Sequence, residues 1–296
     1  MLDPRLKDFR NFLFLVWDHL GLPEPTQVQY DIADYIQNGP KRRCVMAFRG
    51  VGKSWITSAF VVHQLLLDPT KNILVVSASK QRADDFLTFT LRLIDEMPLL
   101  QHLKPHDSQR NSKVAFDVGP APAAHAPSVT SKGLTSQITG SRADLIIADD
   151  AESLTNSATQ MMRDKMSEQV KEFDAVLKPG GAILYLGTPQ TEASIYNQLP
   201  ERGYEIRIWP ARMPTEKQRL GYGKRLAPMI VGMDLEEGEP VDPKRFNTYD
   251  LLEREASYGK SGFALQFMLD TSLSDVDRYP LKLSDLVIMR LDKEQA

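Results

Sequence analysis

The stretch V-M-A-F-R-G-V-G-K-S, residues Val45 to Ser54, decides the fold. Its first, apolar half predicts a buried strand, and Lys53 and Ser54 predict the first turn of a helix. Gly50 and Gly52 allow the intervening backbone to turn its amides inward. In such a phosphate-binding loop, the amides and the lysine ammonium contact phosphate oxygens while the hydroxyl binds Mg²⁺. The stretch therefore predicts a nucleotide site on an α/β sheet.

One position departs from the usual pattern G-x-x-x-x-G-K-[ST], because Ala47 stands where that pattern has its first glycine. Glycine-containing turns before helices also occur as plain structure. The loop by itself leaves both interpretations open, and the rest of the chain has to decide between them.

Composition indicates an ordinary globular protein. The chain has 296 residues, of which 42% are hydrophobic and 25% charged. No apolar run approaches the roughly 18 residues that a membrane span needs, and the N-terminus lacks a signal-peptide pattern. The single cysteine, Cys44, excludes an internal disulfide and is expected to be a small buried hydrophobe. We expect a cytoplasmic protein without a membrane partner.

The net charge of −3 means that any contact with nucleic acid needs a local basic patch. Such a patch is available in one short interval, which contains Arg212, Lys217, Arg219, Lys224 and Arg225. A solvated face is the ordinary interpretation of such a run, and contact with phosphates or with another subunit is the alternative.

Strand and helix patterns alternate along the chain, which predicts a mostly parallel sheet flanked by helices. After the loop, apolar strands are predicted at Asn72–Ser77, Asp144–Asp150, Ala182–Gly187 and Tyr204–Trp209. A short hairpin is predicted from Lys113–Val118 and Ser128–Thr130. The principal helices are predicted at Leu6–Leu20, Trp55–Leu67, Gln81–Met97, Ala158–Leu177 and Pro243–Tyr258.

Adjacent carboxylates end the strand D-L-I-I-A-D-D, residues Asp144 to Asp150. Open parallel sheets bind ligands at the carboxyl ends of their strands. Beside a phosphate loop, Asp149 is therefore expected in the Mg²⁺ shell, and Asp150 is expected to orient the attacking water. Glu152 is the alternative for the second role. A strand that ends in Asp-Asp also occurs as a plain helix cap.

Two further polar groups are expected near the loop. The strand Ala182–Gly187 runs into G-T-P-Q, which brings the hydroxyl of Thr188 to the same sheet edge, where it can sense a γ-phosphate. The turn P-T-Q-V-Q before the loop offers Gln29, or Gln27 in competition, as a reader of the adenine edge. A strand-terminating turn and an ordinary proline-rich turn are the plain alternatives.

Taken in order, four motifs resemble the ATPase domain of the terminase large subunit of tailed bacteriophages, nearest to the short-tailed-phage type called DNA maturase B. They are P-T-Q-V-Q, A-F-R-G-V-G-K-S, T-G-S-R-A-D-L-I-I-A-D-D and L-G-T-P. A loop without the first glycine but with arginine before G-x-G-K-S is itself a mark of that family. The resemblance implies a RecA-like additional-strand phosphate-loop ATPase core at residues 1–209 and a small C-terminal lid or linker subdomain at residues 210–296.

The resemblance also implies a role for each motif residue. Gln29 matches the adenine-reading glutamine, Asp149 the metal-side acidic residue, Asp150 the catalytic carboxylate and Thr188 the motif that couples hydrolysis to motion. Arg142, just before the acidic strand, is the candidate for an arginine donated to a neighbouring subunit, and a salt bridge to Asp144 or to the sheet edge is its plain alternative. The nucleotide-binding loop residues are Arg49, Gly50, Val51, Gly52, Lys53 and Ser54, the last of which also binds the metal. Arg49 is also expected to act in catalysis, where with Lys53 it stabilises the charge of the phosphoryl group.

By the same resemblance, the expected cofactors are ATP and Mg²⁺, and the expected activity is ATP hydrolysis that drives double-stranded DNA into a procapsid. The implied partners are DNA, further copies of the chain in a ring (a pentamer), the portal protein and the small terminase subunit. The implied location is the host cytoplasm, transiently at the procapsid portal. No nuclease domain is expected before Ala296. The alternatives are a helicase-like DNA translocase and a nucleotide-switched assembly module with negligible turnover.

Overall fold

The computed structural model describes residues 3–153, 155–190 and 194–273. Its strands are β1 Arg42–Ala47, β2 Ile73–Ser77, β3 Ala115–Phe116, β4 Val129–Gly133, β5 Ala143–Asp149, β6 Leu177–Gly187 and β7 Glu205–Trp209. Its helices are α1 Phe9–His19, α2 Gln27–Asn38, α3 Lys53–Leu67, α4 Lys80–Glu96, α5 Gln160–Gln169, α6 Glu172–Val176, α7 Ile195–Gln198, α8 Glu216–Tyr222, α9 Pro228–Val231 and α10 Thr248–Phe263.

Within these described residues the strands form one sheet, in the order β3-β4-β2-β5-β6-β1-β7. All neighbouring pairs are parallel except β3 with β4, which confirms the mostly parallel α/β prediction. Strand β6 lies between β1, which leads into the phosphate loop, and β5, which carries the carboxylates. This inserted strand is the additional strand of the predicted fold. Because β1, β5 and β6 are parallel, their carboxyl ends meet at one edge of the sheet.

Helix α3 follows the loop and is buried on most of its surface, as the predicted helix Trp55–Leu67 requires. The predicted N-terminal packing helix is confirmed as α1, which packs on α3 through Phe9 and Phe60, whose ring centroids are 5.2 Å apart. Burial of α1 follows the predicted three- and four-residue spacing, with Phe9, Phe12, Leu13, Val16 and Trp17 inward. Cys44 is buried in β1, as expected.

Two predicted boundaries are wrong between residues 158 and 187. The single helix expected at Ala158–Leu177 is divided into α5 and α6, because α5 buries only Met166 and has little tertiary packing to extend it. The turn expected at residues 178–181 is an irregularity inside β6. Leu177 already pairs with Ala143, and regular pairing with β5 resumes at Ala182.

The predicted hairpin is confirmed in its pairing, although β3 is shorter than expected. Ala115 and Phe116 pair antiparallel with Thr130 and Val129 of β4. Strand β4 then continues to Gly133 as a parallel neighbour of β2. The excursion between the two strands therefore lies at the edge of the sheet, away from the carboxyl ends of β1, β5 and β6.

From residue 210 the chain returns over the outside of the phosphate loop, and we call residues 210–273 the C-terminal segment. Its two ends meet where the N–H of Ala211, two residues after β7, donates to the carbonyl of Phe267 at 2.8 Å. Helix α10 begins later than predicted because Asn247 caps it, and it is kinked at Gly259. Residues 274–296 of the predicted lid lie outside the described residues. In the part of the chain that is described, no helix has the length and apolar character of a membrane span.

Candidate nucleotide-binding site

The loop between β1 and α3 has the shape that its glycines predict. Gly50 and Gly52 have φ angles of 91° and 95°, a left-handed conformation that residues with a Cβ rarely adopt. The loop is tied to the sheet by the N–H of Phe48, which donates to the carbonyl of Trp209 at 3.0 Å. The N-terminus of α3, a 15-residue helix, therefore begins at the carboxyl edge of the sheet. Its unpaired amides and dipole favour an anion at that point.

Lys53 lies folded back across the loop. Its Nζ donates to the carbonyl of Ala47 at 2.7 Å and to the hydroxyl of Thr188 at 3.4 Å. Burial lowers the pKa of this ammonium, and the carboxylates of Asp150 and Asp149 act in the opposite direction. The lysine and the threonine, 135 residues apart in sequence, thus meet at the sheet edge where the strand pattern predicts them.

Ser54, which is part-buried, and Asp149, which is buried, form a pair of oxygen groups beside the loop. The Ser54 hydroxyl donates to Oδ1 of Asp149 at 3.1 Å. Burial raises the pKa of the Asp149 carboxyl and the neighbouring Asp150 raises it further, while the Ser54 hydrogen bond and Lys53 oppose the shift. Carboxylate and hydroxyl oxygens are the ligands that Mg²⁺ prefers, and a cation would offset the close negative charges. The residues therefore fit the predicted metal.

Asp150 is held in an unusual backbone conformation at the end of β5. Its φ angle is 46°, in the left-handed region, which costs roughly 1–2 kcal/mol for a residue with a Cβ. Two backbone hydrogen bonds fix it: its N–H donates to the carbonyl of Leu186 at 2.9 Å, and its carbonyl accepts from the N–H of Ala78 at 3.3 Å. Its carboxylate lines a cavity of about 280 Å³ together with Ser54 and Asp149.

Glu152, the alternative to Asp150, does not line this cavity, and its carboxylate accepts three hydrogen bonds from the protein. Its buried carboxylate accepts from the N–H of Gln190 at 3.0 Å, and from the hydroxyl of Ser194 and the N–H of Ile195, both at 2.8 Å. Burial raises the pKa of Glu152, while these three hydrogen bonds lower it. The geometry thus gives Glu152 a structural role in anchoring the chain that follows β6, and favours Asp150 as the carboxylate that faces the cavity.

Gln29 contacts the loop, but through protein atoms. Its Nε2 donates to the carbonyl of Val51 at 2.8 Å and its Oε1 accepts from the N–H of Thr26 at 3.0 Å, the latter as part of a capping box. Reading an adenine edge would require these contacts to be exchanged. The competing glutamine, Gln27, is exposed and lines a separate groove beside Arg10. Of the two candidates, Gln29 is the one beside the loop.

The outer side of the loop is held by residues that the sequence analysis did not single out. The N–H of Arg49 donates to the carbonyl of Gln266 at 2.9 Å, and its Nη1 donates to Oε1 of the same glutamine at 3.2 Å. Nε of Arg245 donates to the carbonyl of Gly50 at 2.7 Å. The ring of Phe246 packs so closely that a Cβ on Gly50 would lie 2.7 Å from it. These partners belong to the C-terminal segment, 195 to 217 residues further along the chain. No local sequence pattern predicts their contact with the loop.

Arg142 lies at the opposite edge of the sheet from the loop. It precedes β5, whose length at about 3.3 Å per residue leaves roughly 20 Å to Asp149. Its Nη1 donates to the carbonyls of Ser141 and Ala175, each at 3.3 Å. The ion pair with Asp144 that was its plain alternative is formed instead by Lys178, at 2.9 Å. Arg142 therefore does not reach the site of its own chain.

The chain is similar to known proteins in both sequence and fold. The family model described as "Terminase large subunit, T4likevirus-type, N-terminal" matches residues 44–175. The chain is 51% identical over 299 residues to a curated protein called "Terminase, large subunit" from Enterobacteria phage T3. That match covers 98% of this chain and 51% of the relative, so the chain spans about half the length of the curated relative.

Two solved structures share the fold at low sequence identity. One is a mutant of the Thermus phage P74-26 large terminase ATPase domain, with a TM-score of 0.51 and 16% identity over 86% of this chain and 96% of that one. The other is the HK97 bacteriophage large terminase, with a TM-score of 0.52 and 14% identity over 89% of this chain and 55% of that one. These likenesses confirm a RecA-like fold. The family model and the phage T3 relative identify the chain as a member of the bacteriophage terminase large-subunit family, to whose N-terminal domain it corresponds.

Proposed function

We propose that this chain binds and hydrolyses ATP and that hydrolysis drives double-stranded DNA into a procapsid. The observation that carries the proposal is the convergence of Lys53, Thr188, and the Ser54–Asp149 pair on one phosphate-binding loop. The family to which the chain belongs supports the coupling to DNA packaging.

The loop amides, the N-terminus of α3 and the Lys53 ammonium bind the phosphates of ATP. To do so, the ammonium exchanges its contacts with Ala47 and Thr188 for phosphate oxygens, and Thr188 thereby senses the γ-phosphate. Ser54 and Asp149 hold Mg²⁺, which when bound neutralises charge on the phosphate oxygens. Asp150, exposed at the cavity, orients the attacking water.

The DNA is held electrostatically, with little sequence preference, by contacts to its phosphates. Within the basic run, Arg212 already forms an ion pair inside the protein, with Glu255 at 2.6 Å, and so contributes less to DNA contact. Lys217, Arg219 and Lys224 are exposed and available for such contacts. The C-terminal segment acts as a lid that moves with the nucleotide state. The portal protein and the small terminase subunit are the further partners, and the host cytoplasm is the site of action.

Replacing Asp150 with asparagine tests the proposal, because the amide keeps the shape of the side chain but removes the charge. Fluorescent-ATP affinity should stay within about threefold of wild type, while turnover, measured with and without duplex DNA, should fall by about 10²–10⁴. Asp85→Asn is the matched control, since Asp85 lines the same cavity. It should retain both properties.

The same experiment separates the alternatives. Nucleotide binding without turnover by the wild-type chain would favour the assembly module, and turnover that duplex DNA never changes would contradict the coupling. ATP-dependent separation of a forked duplex would favour the helicase-like translocase.

Arg142 completes the site of a neighbouring copy in a ring, a pentamer in the proposed assembly. The roughly 20 Å between Arg142 and Asp149 of one chain supports action between chains. An arginine delivered in this way stabilises charge in the transition state and makes hydrolysis depend on assembly.

Mixing two inactive variants tests this role. Arg142→Ala lacks the donated cation and Lys53→Ala lacks a working loop, so a mixed ring should regain turnover where an intact Arg142 faces an intact loop. Arg110→Ala, which removes an exposed arginine elsewhere, should be active alone. Mixed rings that assemble but stay inactive would contradict the proposal.

A further inference from the structure

Arg82 is a charged residue of the cavity to which no role has yet been given. It is the third residue of α4, whose start is fixed by Ser79, the hydroxyl of which accepts from the N–H of Arg82 at 3.3 Å. From there the guanidinium crosses to the end of β5, and its Nη1 lies 3.8 Å from Oδ2 of Asp150. It lines the same cavity as Ser54, Asp149 and Asp150.

Other cations on α4 are used differently. Lys80 pairs with Asp84, and Arg92 pairs with Glu96, each four residues along the same helix. Such pairs on an exposed helix face contribute about 0.3–0.5 kcal/mol and carry no implication for a site. Arg82 instead pairs with a carboxylate on another element, 68 positions away by residue number. Its ion pair therefore links α4 to the catalytic edge of the sheet.

Two cations act on the carboxylate of Asp150. One is the buried Lys53 ammonium, which is bonded to the carbonyl of Ala47 and the hydroxyl of Thr188 at the loop. The other is Arg82, in the cavity. The backbone of Asp150 is fixed by its two hydrogen bonds, so the direction of the carboxylate depends on its side-chain torsions and on these two charges. Without Arg82, attraction to Lys53 would draw the carboxylate towards the loop.

We propose that Arg82 is a positioning residue for ATP hydrolysis, which holds the Asp150 carboxylate towards the cavity and away from Lys53. The inference rests on the proposed function, because it assigns Asp150 the orientation of water. At 3.8 Å the contact is longer than a hydrogen bond, so the carboxylate oxygens keep their capacity to accept from water. The aromatic wall of the cavity, in which the rings of Trp55 and Phe89 lie 5.0 Å apart, limits the space for that water.

Replacing Arg82 is compatible with folding, because its side chain is 58% exposed. The test measures fluorescent-ATP affinity and turnover for Arg82→Ala, Arg82→Lys and the matched control Arg92→Ala, an exposed arginine of the same helix. Arg82→Ala should lower kcat at least about tenfold, part of the 10²–10⁴ that a positioned base contributes, with ATP affinity within about threefold of wild type. Arg82→Lys, which keeps the charge, should recover most of kcat, and Arg92→Ala should match wild type.

Three outcomes would overturn the inference. They are a wild-type kcat for Arg82→Ala, a loss of ATP affinity that accounts for the whole defect, and a Lys variant no better than Ala. The second would mean that Arg82 binds the phosphates directly. Thermal unfolding midpoints of Arg82→Ala and Arg92→Ala that agree within about 2 °C establish that the fold is intact. If the wild-type chain has no turnover, the proposed function fails; if it turns over and Arg82→Ala does so equally, the positioning role alone fails.

Discussion

The inner and outer sides of the phosphate loop are built in different ways. The inner side meets residues at the ends of neighbouring parallel strands, and its contacts join Lys53 to Thr188 and Ser54 to Asp149. The outer side meets the C-terminal segment, through Gln266 at Arg49 and through Arg245 and Phe246 at Gly50. The strands therefore determine the chemistry of the loop, and the C-terminal segment holds it in place.

A second route connects the C-terminal segment to the loop. The hydroxyl of Thr26 donates to Oδ2 of Asp242 in the C-terminal segment at 2.6 Å. Thr26 also caps the helix that carries Gln29, whose Nε2 bonds the loop at Val51. A displacement of the C-terminal segment would thus reach the loop by two routes, which is the contact pattern expected of the proposed lid.

Gly50→Ala should have the largest effect on the outer side of the loop, because it disturbs both the backbone and its packing. The alanine would have to adopt a left-handed φ of 91°, and its Cβ would lie 2.7 Å from the Phe246 ring. Strain of about 1–2 kcal/mol and overpacking of about 1–3 kcal/mol together predict a loss of about 2–5 kcal/mol in the free energy of unfolding, with weakened ATP binding. Denaturant titration and fluorescent-ATP titration measure the two effects.

Gly140→Ala is the matched control, because Gly140 has a φ of 88° with nothing within 4 Å of the added Cβ. Its free energy of unfolding should fall only by the cost of backbone strain, about 1–2 kcal/mol, and it should bind ATP normally. In a Phe246→Ala background, Gly50→Ala should lower the free energy of unfolding by less, and the loss should approach that of Gly140→Ala. An equal loss of stability in both backgrounds would show that the Phe246 ring does not constrain Gly50.

The difference between the two sides also explains what the sequence could predict. The strand, the turn and the helix start of Val45–Ser54 are local, and parallel strands bring Asp149 and Thr188 to the same edge by a general rule. The strand pattern therefore predicts the mostly parallel sheet correctly, and the resemblance to the terminase family predicts the additional strand. The expected positions of these residues are found, while their roles in hydrolysis stay predictions.

Contacts between distant parts of the chain were missed, since no periodicity or motif marks them. Gln266 and Arg245 fall in helical or loop patterns that predict only solvent-exposed or packing residues. Arg82 stands in an ordinary amphipathic helix, and only the tertiary structure places it beside Asp150. Glu152 was considered for catalysis because of its sequence position, whereas its three hydrogen bonds to the chain after β6 are decided by packing.

Gln266→Ala should have the smallest effect, and it tests a single side-chain contact on the outer side of the loop. It removes the side-chain partner of the Arg49 guanidinium and leaves the backbone bond between the two residues in place. If Arg49 contributes its charge to the bound phosphates, as predicted from the loop, it must first give up a hydrogen bond of about 0.5–1.5 kcal/mol. Removing that competitor should tighten ATP binding by roughly 2–10-fold, since 1.4 kcal/mol is a factor of ten.

Two controls make that prediction decisive. Gln101→Ala removes a part-buried amide that bonds carbonyls at the end of α4, far from the loop, and should leave ATP affinity unchanged. In an Arg49→Ala background, Gln266→Ala should no longer tighten binding, because the guanidinium that it releases is absent. Weaker binding by Gln266→Ala alone would mean that the glutamine presents Arg49 to the phosphates, and the outer side of the loop would then take part in the chemistry as well as the positioning.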